Sequence, residues 1–153
     1  MNNLIMNNLI MNNLIMNDLE KAVPFVPPIT SGKVIKVYDG DTITIVSKLP
    51  YPESLLYKFR VRLARINAPE INNHVINSNI NSNINSDTNS DTNSLSLESR
   101  DFLSSMVMNK IVELKSVRTD KYGRILAEVY CDNVNMSDLL LEKGYVVAYR
   151  EIV

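Results

Sequence analysis

Cysteine and histidine are almost missing from this chain, and several chemistries go with them. Cys131 is the only cysteine among 153 residues, which excludes an intrachain disulfide and any multi-cysteine zinc site; its apolar surroundings mark it as a small core residue. His74 is the only histidine and lies in a polar tract, so a general base, if the chain has one, is expected to be a carboxylate rather than imidazole. No apolar run approaches the roughly 20 residues that span a bilayer. Residues 1–20 lack the basic start and small-residue cleavage site of a secretory signal, so an intracellular protein without a membrane segment is expected. Positive charge is not in excess either. A net charge of −1 and a pI near 5.8 exclude coating a polyanion by charge alone, so any such binding must be local.

What the chain does have begins with low complexity. Residues 1–15 are Met-Asn-Asn-Leu-Ile three times over, and Met16-Asn17-Asp18-Leu19-Glu20 is a worn fourth copy. A period of five matches neither a helix nor a strand, so residues 1–30, closing on Pro24, Pro27 and Pro28, are expected to be a flexible or loosely helical lead-in. A second such tract, residues 72–95, is rich in Asn and Ser. Its few apolar residues cannot offset the entropy of ordering it, which predicts a disordered insertion in a surface loop. The rest of 31–150 has room for one small domain.

Within that domain the pattern is mainly β. Val34–Tyr38 and Thr42–Val46 flank an Asp39-Gly40 turn signal, and Tyr57–Leu63 alternates, with Arg60 and Arg62 sharing one face. The alternation breaks at Arg65, which predicts a bulge or the strand's end. A helix is expected from Ser96 as N-cap, with Phe102, Met106 and Val107 on its apolar side. Two strands, Ile111–Val117 and Ile125–Cys131, follow on either side of a turn at 118–124. A short helix then carries Met136, Leu139 and Leu140 and stops at Gly144. Short meandering strands with an interposed helix suit an α+β, mainly β architecture: a five-stranded barrel of the OB type with two helices, rather than a sandwich.

Three pieces concentrate the charged groups at strand ends. They are Val37-Tyr38-Asp39-Gly40-Asp41-Thr42, then Val61-Arg62-Leu63-Ala64-Arg65-Ile66-Asn67-Ala68-Pro69-Glu70, then Arg118-Thr119-Asp120-Lys121-Tyr122-Gly123-Arg124. Carboxylates and guanidiniums held at one edge of a rigid sheet suit phosphodiester cleavage. Guanidiniums have the fork geometry to meet equatorial charge on the phosphoryl group, and a carboxylate can bind a hard cation or activate water. Other roles are available to several of these residues. Asp39 suits a turn, Arg60 and Arg65 suit surface charges or loose phosphate contacts, Arg62 and Glu70 suit a structural pair, and Tyr122 and Gly123 suit the turn itself.

In order and spacing the three pieces resemble the staphylococcal nuclease (thermonuclease) family, over residues 33–71 and 96–149. The resemblance implies an OB-fold barrel that hydrolyses DNA and RNA with calcium. It implies metal ligation by Asp41, by Asn67 in place of the family's second aspartate, and by the backbone carbonyl of Ala68. It further implies Glu70 as the residue that orients or deprotonates water, Arg62 and Arg124 as phosphate clamps, and Lys121, Tyr122 and Tyr149 as substrate contacts.

Asn67 departs from the family pattern. It loses a full negative charge, so affinity for the divalent ion is expected to fall or its preference to shift toward magnesium or another ion. The alternative reading is therefore a catalytically weak, nucleic-acid-binding OB module; a third is an assembly protein organised by the N-terminal repeats. A monomer without an obligate protein partner is expected.

Overall fold

A computed structural model of the chain describes residues 5–8, 10–12, 19–69 and 87–150. Eight strands are present among these residues: β1 (Ser31–Val37), β2 (Thr42–Lys48), β3 (Leu56–Leu63), β4 (Ile66–Asn67), β5 (Ile111–Thr119), β6 (Ile125–Cys131), β7 (Val134–Asn135) and β8 (Val147–Ala148). Two α-helices accompany them, α1 (Asp87–Val107) and α2 (Met136–Glu142), with a 3-10 turn at Leu19–Lys21. The hydrogen-bonded order β3-β2-β1-β5-β6 closes on itself because β3 also pairs, in parallel, with β6. That makes a closed five-stranded barrel of OB type, as the meandering strand pattern predicts. β7 extends β6, and β4 pairs with β8 in a small second sheet.

The barrel follows from the two-residue period of its strands. Val34, Ile43, Ile45, Val61, Leu63, Val112 and Val129 all point inward and are completely buried. Cys131 is buried with them, and its thiol is 3.5 Å from the Met106 carbonyl. Closure has a consequence for function. The β3–β6 register sets Arg62 opposite Leu126, so the end of β3 lies beside the start of β6 and the turn that precedes it.

Two expectations need correction. Helix α1 begins at Asp87 and not at Ser96, so residues 87–95 of the expected disordered insertion are helical. Asp, Thr, Asn and Ser are weak helix formers and carry no apolar period here, which is why nothing local announces those turns. Ser96 is no N-cap; it is fully buried. The inward stripe of α1 is Ser96, Ser99, Leu103 and Val107, while Phe102 and Met106 are only half buried. Small hydroxyl residues occupy the stripe where the helix comes closest to the loop between β1 and β2. Residues 71–86, which hold His74 and the rest of that insertion, lie outside the described residues.

Helix α2 stops at Gly144 as expected, and its start is capped by Asn135. Asn135 Oδ1 accepts from the Ser137 and Asp138 amides, and Gly144, at φ 73°, ends the helix with the Tyr145 amide returning to the Leu140 carbonyl at 3.1 Å. Helical backbone at 5–8 and 10–12 exposes Ile5, Met6, Ile10 and Met11. No described helix is long and apolar enough to cross a membrane.

Candidate active site

The loop 39–41 is built around its own carboxylates. Asp39 Oδ1 accepts the Asp41 amide at 3.0 Å, a local bond that turns the chain and aims Asp41 into the end of the barrel. The turn falls at Asp39-Gly40 as expected, and Gly40 keeps a negative φ, so the turn does not draw on left-handed freedom there. Its need is space: a Cβ there would overlap Ser99 Oγ and come within 3.1 Å of the Ala68 Cβ.

Asp41 is 3% exposed, and both its oxygens are engaged. Oδ1 accepts from Thr42 Oγ1 at 2.8 Å and pairs with Arg62 Nη1 at 2.5 Å; Oδ2 accepts the Ala68 amide at 2.8 Å. Arg62 Nη2 donates onward to the Ile66 carbonyl at 3.0 Å and to Asn67 Oδ1 at 2.9 Å. One guanidinium thus joins the β1–β2 loop, the end of β3 and strand β4. Ala68 is tied to Asp41 through its N–H, and it lines the cleft.

The third piece is ordered by Asp120. Its Oδ1 accepts the amides of Tyr122 at 2.8 Å and Arg124 at 2.9 Å, and its Oδ2 holds Arg124 Nε at 2.7 Å. Burial raises the carboxyl's pKa, but the Arg124 guanidinium and these two amides more than offset it, so Asp120 titrates below the usual carboxylate value. Gly123, at φ 76°, supplies the left-handed residue of the turn. Tyr122 is exposed, its ring 5.0 Å from Lys121 Nζ and 5.4 Å from the Arg124 guanidinium carbon.

These pieces line one cleft of about 860 Å³. Asp41, Arg62, Asn67, Ala68, Lys121, Tyr122, Arg124 and Tyr149 all reach it, so the structure brings together every described residue expected at the site. Glu70 lies outside the described residues, although Pro69, which precedes it, lines the cleft. Asp120 is the residue that sequence reasoning missed. Its signal was present: an aspartate two residues before a turn glycine's neighbour and four before an arginine.

Among the described residues no group of three or more His, Cys, Asp or Glu is placed to hold a metal. The donors at hand are oxygens, namely the carboxylates of Asp41 and Asp39 and the Asn67 amide. In donor type such a set suits a hard cation such as calcium or magnesium rather than a soft metal, while Arg62, Thr42 and Ala68 take up the Asp41 and Asn67 oxygens in this structure. Asp39 lies close enough to Asp41 for burial and its neighbour's charge to raise its pKa.

Fold and site together define a class, an OB-type barrel with guanidiniums and carboxylates converging on a cleft at one end. The family model described as staphylococcal nuclease homologue matches residues 60–153. The chain belongs to that family. It is similar to an uncharacterized endonuclease of Escherichia coli, 27% identical over 121 residues that cover 78% of this chain and 61% of that protein. An uncharacterized endonuclease of Haemophilus influenzae is 29% identical over 119 residues, covering 78% of this chain and 52% of its own length. The staphylococcal-like nuclease CAN1 of Arabidopsis thaliana is 28% identical over 100 residues, covering 63% of this chain and 25% of its own. The chain therefore spans less than two thirds of the length of each of these relatives.

Proposed function

We propose that the chain is a nuclease that hydrolyses phosphodiester bonds in DNA or RNA with a divalent cation, calcium or magnesium. The observation that carries this reading is that Arg62 and Arg124, 62 positions apart in sequence, line one cleft with the buried Asp41. The names of the relatives support it.

Arg62 and Arg124 bind the phosphate oxygens and stabilise the charge that gathers on them as the phosphorus becomes five-coordinate. Asp120 fixes the direction of Arg124, and Asp41 does the same for Arg62. Glu70 takes a proton from the attacking water while the bond to the leaving oxygen breaks in line. Lys121, Tyr122 and Tyr149 hold the rest of the nucleotide. Asp41, with Asn67 and the backbone of Ala68, would hold the cation, which when bound supplies Lewis-acid neutralisation of the phosphate.

A second reading, a nucleic-acid-binding module with weak catalysis, draws on Asn67, whose neutral oxygen is already shared with Arg62. A plasmid-nicking assay with added calcium or magnesium, run beside Glu70→Gln and Arg62→Ala, separates the two. Cation-stimulated nicking that both substitutions abolish is the expected result. Binding without any cation-stimulated nicking by the intact protein would leave only the second reading.

A further inference from the structure

The solvent face of β1–β3 is more strongly charged than the chain as a whole. Apart from Arg62, which is paired with Asp41 in the cleft, strands β1, β2 and β3 carry Lys33, Lys36, Lys48, Lys58 and Arg60 and contain no acidic residue, in a chain whose net charge is −1. The register sets these cations in rows across the sheet: Lys36 opposite Thr44 and Thr44 opposite Arg60, then Lys33 opposite Val46 and Val46 opposite Lys58. Tyr38 lies under the first row, its ring 4.3 Å from Lys36 Nζ and 4.4 Å from the Arg60 guanidinium carbon. Among the described residues neither Lys58 nor Arg60 has a carboxylate partner.

This face ends in a second groove of about 320 Å³, lined by Phe25, Pro27, Lys58, Phe59, Arg60, Thr119, Gly123, Arg124 and Ile125. Its position follows from barrel closure, because β3 and β6 run side by side. Two of its residues, Thr119 and Arg124, also line the cleft. Arg124 thus stands between two cavities. Phe25 is 73% exposed, an aromatic ring left in solvent in the groove that Lys58 and Arg60 also line.

We propose that the groove and the adjoining cationic face form a subsite for a single nucleic-acid strand that continues out of the cleft past Arg124. Lys36, Lys58 and Arg60 take successive phosphates, and Phe25 stacks an unpaired base. The chemistry selects a single strand over a duplex, because only an unpaired base offers its face to an aromatic ring. The subsite rests on the nuclease reading, since it shares Arg124 with the cleft.

The test is fluorescence anisotropy in EDTA with labelled oligothymidylates of two lengths. One is about 15 nucleotides, near the upper footprint of one OB fold, and the other is about 3, below its lower end. The intact chain is compared with Lys58→Ala/Arg60→Ala and with Phe25→Ala across a range of salt. The double variant is expected to lower the ratio of long-strand to short-strand affinity about tenfold and to flatten the salt slope by about 1.4, at about 0.7 per phosphate contact on a single strand. Phe25→Ala is expected to lower the same ratio about tenfold with the slope intact, since stacking releases no counterion.

Long-strand affinity and slope that match the parent in both variants overturn the subsite, as does equal weakening of both lengths. If the parent still nicks plasmid in those cases, the nuclease reading survives and only the subsite is lost. An intact protein that neither binds the long strand nor nicks plasmid overturns both.

Discussion

Arg62 Nη1 stands 2.5 Å from Asp41 Oδ1, and the carboxylate it meets is 3% exposed. An acid buried to that degree depends on its countercharge, so Arg62 has a structural role beside the proposed catalytic one. Arg62→Ala is expected to lower cleavage about 100- to 1,000-fold, the usual loss of one transition-state donor. It should also lower stability by about 2 kcal/mol, the order of a charge-assisted hydrogen bond lost at a partly buried site. Urea melts of Arg62→Ala, Asp41→Asn and the double variant check this. The double variant should lose less than the two singles combined, and strict additivity would mean that the pair is not coupled.

Asn67 receives Arg62 Nη2 at 2.9 Å and lies at the cleft. Asn67→Asp restores a charge on an oxygen that already faces the site. Cation affinity is set largely by ligand charge, so the cation concentration giving half-maximal cleavage should fall by roughly an order of magnitude. Calcium and magnesium titrations of activity report it, together with heat of binding to the resting protein. An identical titration for the two proteins counts against Asn67 as a cation contact.

Tyr38 has its phenol pKa lowered from 10.0 to about 8, first by the Thr44 hydrogen bond and then by Arg60, with Lys36 adding its charge. Ultraviolet titration should therefore show a phenolate appearing near pH 8 that is missing from Tyr38→Phe, and Thr44→Val should move it upward. The sign for folding follows from linkage. A depressed phenol favours the folded state at high pH, fully above the unfolded value of 10 and not at all once the pH falls below about 8. If the difference spectrum titrates near 10, the Thr44 and Arg60 contacts do not hold in solution.

Arg65 adopts φ 68°, a left-handed conformation that an arginine takes only when held there. Its Nε and Nη2 donate to the two oxygens of Glu128 at 2.7 and 2.9 Å, and Nη2 also reaches Asp138 at 2.9 Å. These contacts tie the β3–β4 turn to β6 and α2. The Arg65 bond is the main reason that Glu128 titrates below its ordinary 4.5. The stabilisation is thus present above pH 4.5 and is lost as the pH falls through the lower, folded-state value. Glu128→Gln should cost about 1 kcal/mol at neutral pH, discounted for the exposure of Arg65, and close to nothing in acid. Equal melting deficits at both pH values would rule out the ionic contribution.

What could be read from the chain alone was whatever is encoded locally. The strands announce themselves by alternation, as in Tyr57–Leu63, and the cleft does so because its three pieces each lie within about ten residues. Partners far apart were not legible. Nothing in Arg65 points to Glu128, 63 positions away; Arg65, expected as a surface charge or a loose phosphate contact, is exposed and is also tied to the fold through that residue. Asp120 was passed over for the opposite reason, since its work of orienting Arg124 is local but leaves no periodic mark. The start of α1 is hidden by composition, and the groove at Phe25 by a lead-in whose repeats point to assembly, if to anything, and whose prolines point only to a connection.

Gly40 is where fold and site meet most closely. Helix α1 presses Ser99 against the 39–41 loop, and among the described residues Ser99 Oγ is the buried side-chain atom left without a hydrogen-bond partner. A methyl on Gly40 would overlap that oxygen, lie 2.8 Å from Ser99 Cβ and crowd Ala68 at 3.1 Å. Rotating Ser99 removes only the first of these clashes. Gly40→Ala should therefore push helix and loop apart, lower stability by about 1 to 3 kcal/mol, and loosen the Asp41 contacts to Arg62 and Ala68. Cleavage should fall more steeply than stability predicts, because the displaced atoms orient Arg62, the proposed phosphate clamp. Adding Ser99→Gly removes two of the three crowded atoms and should restore part of both losses. A Gly40→Ala protein with parental melting and parental turnover would show that the helix does not press on this loop in solution.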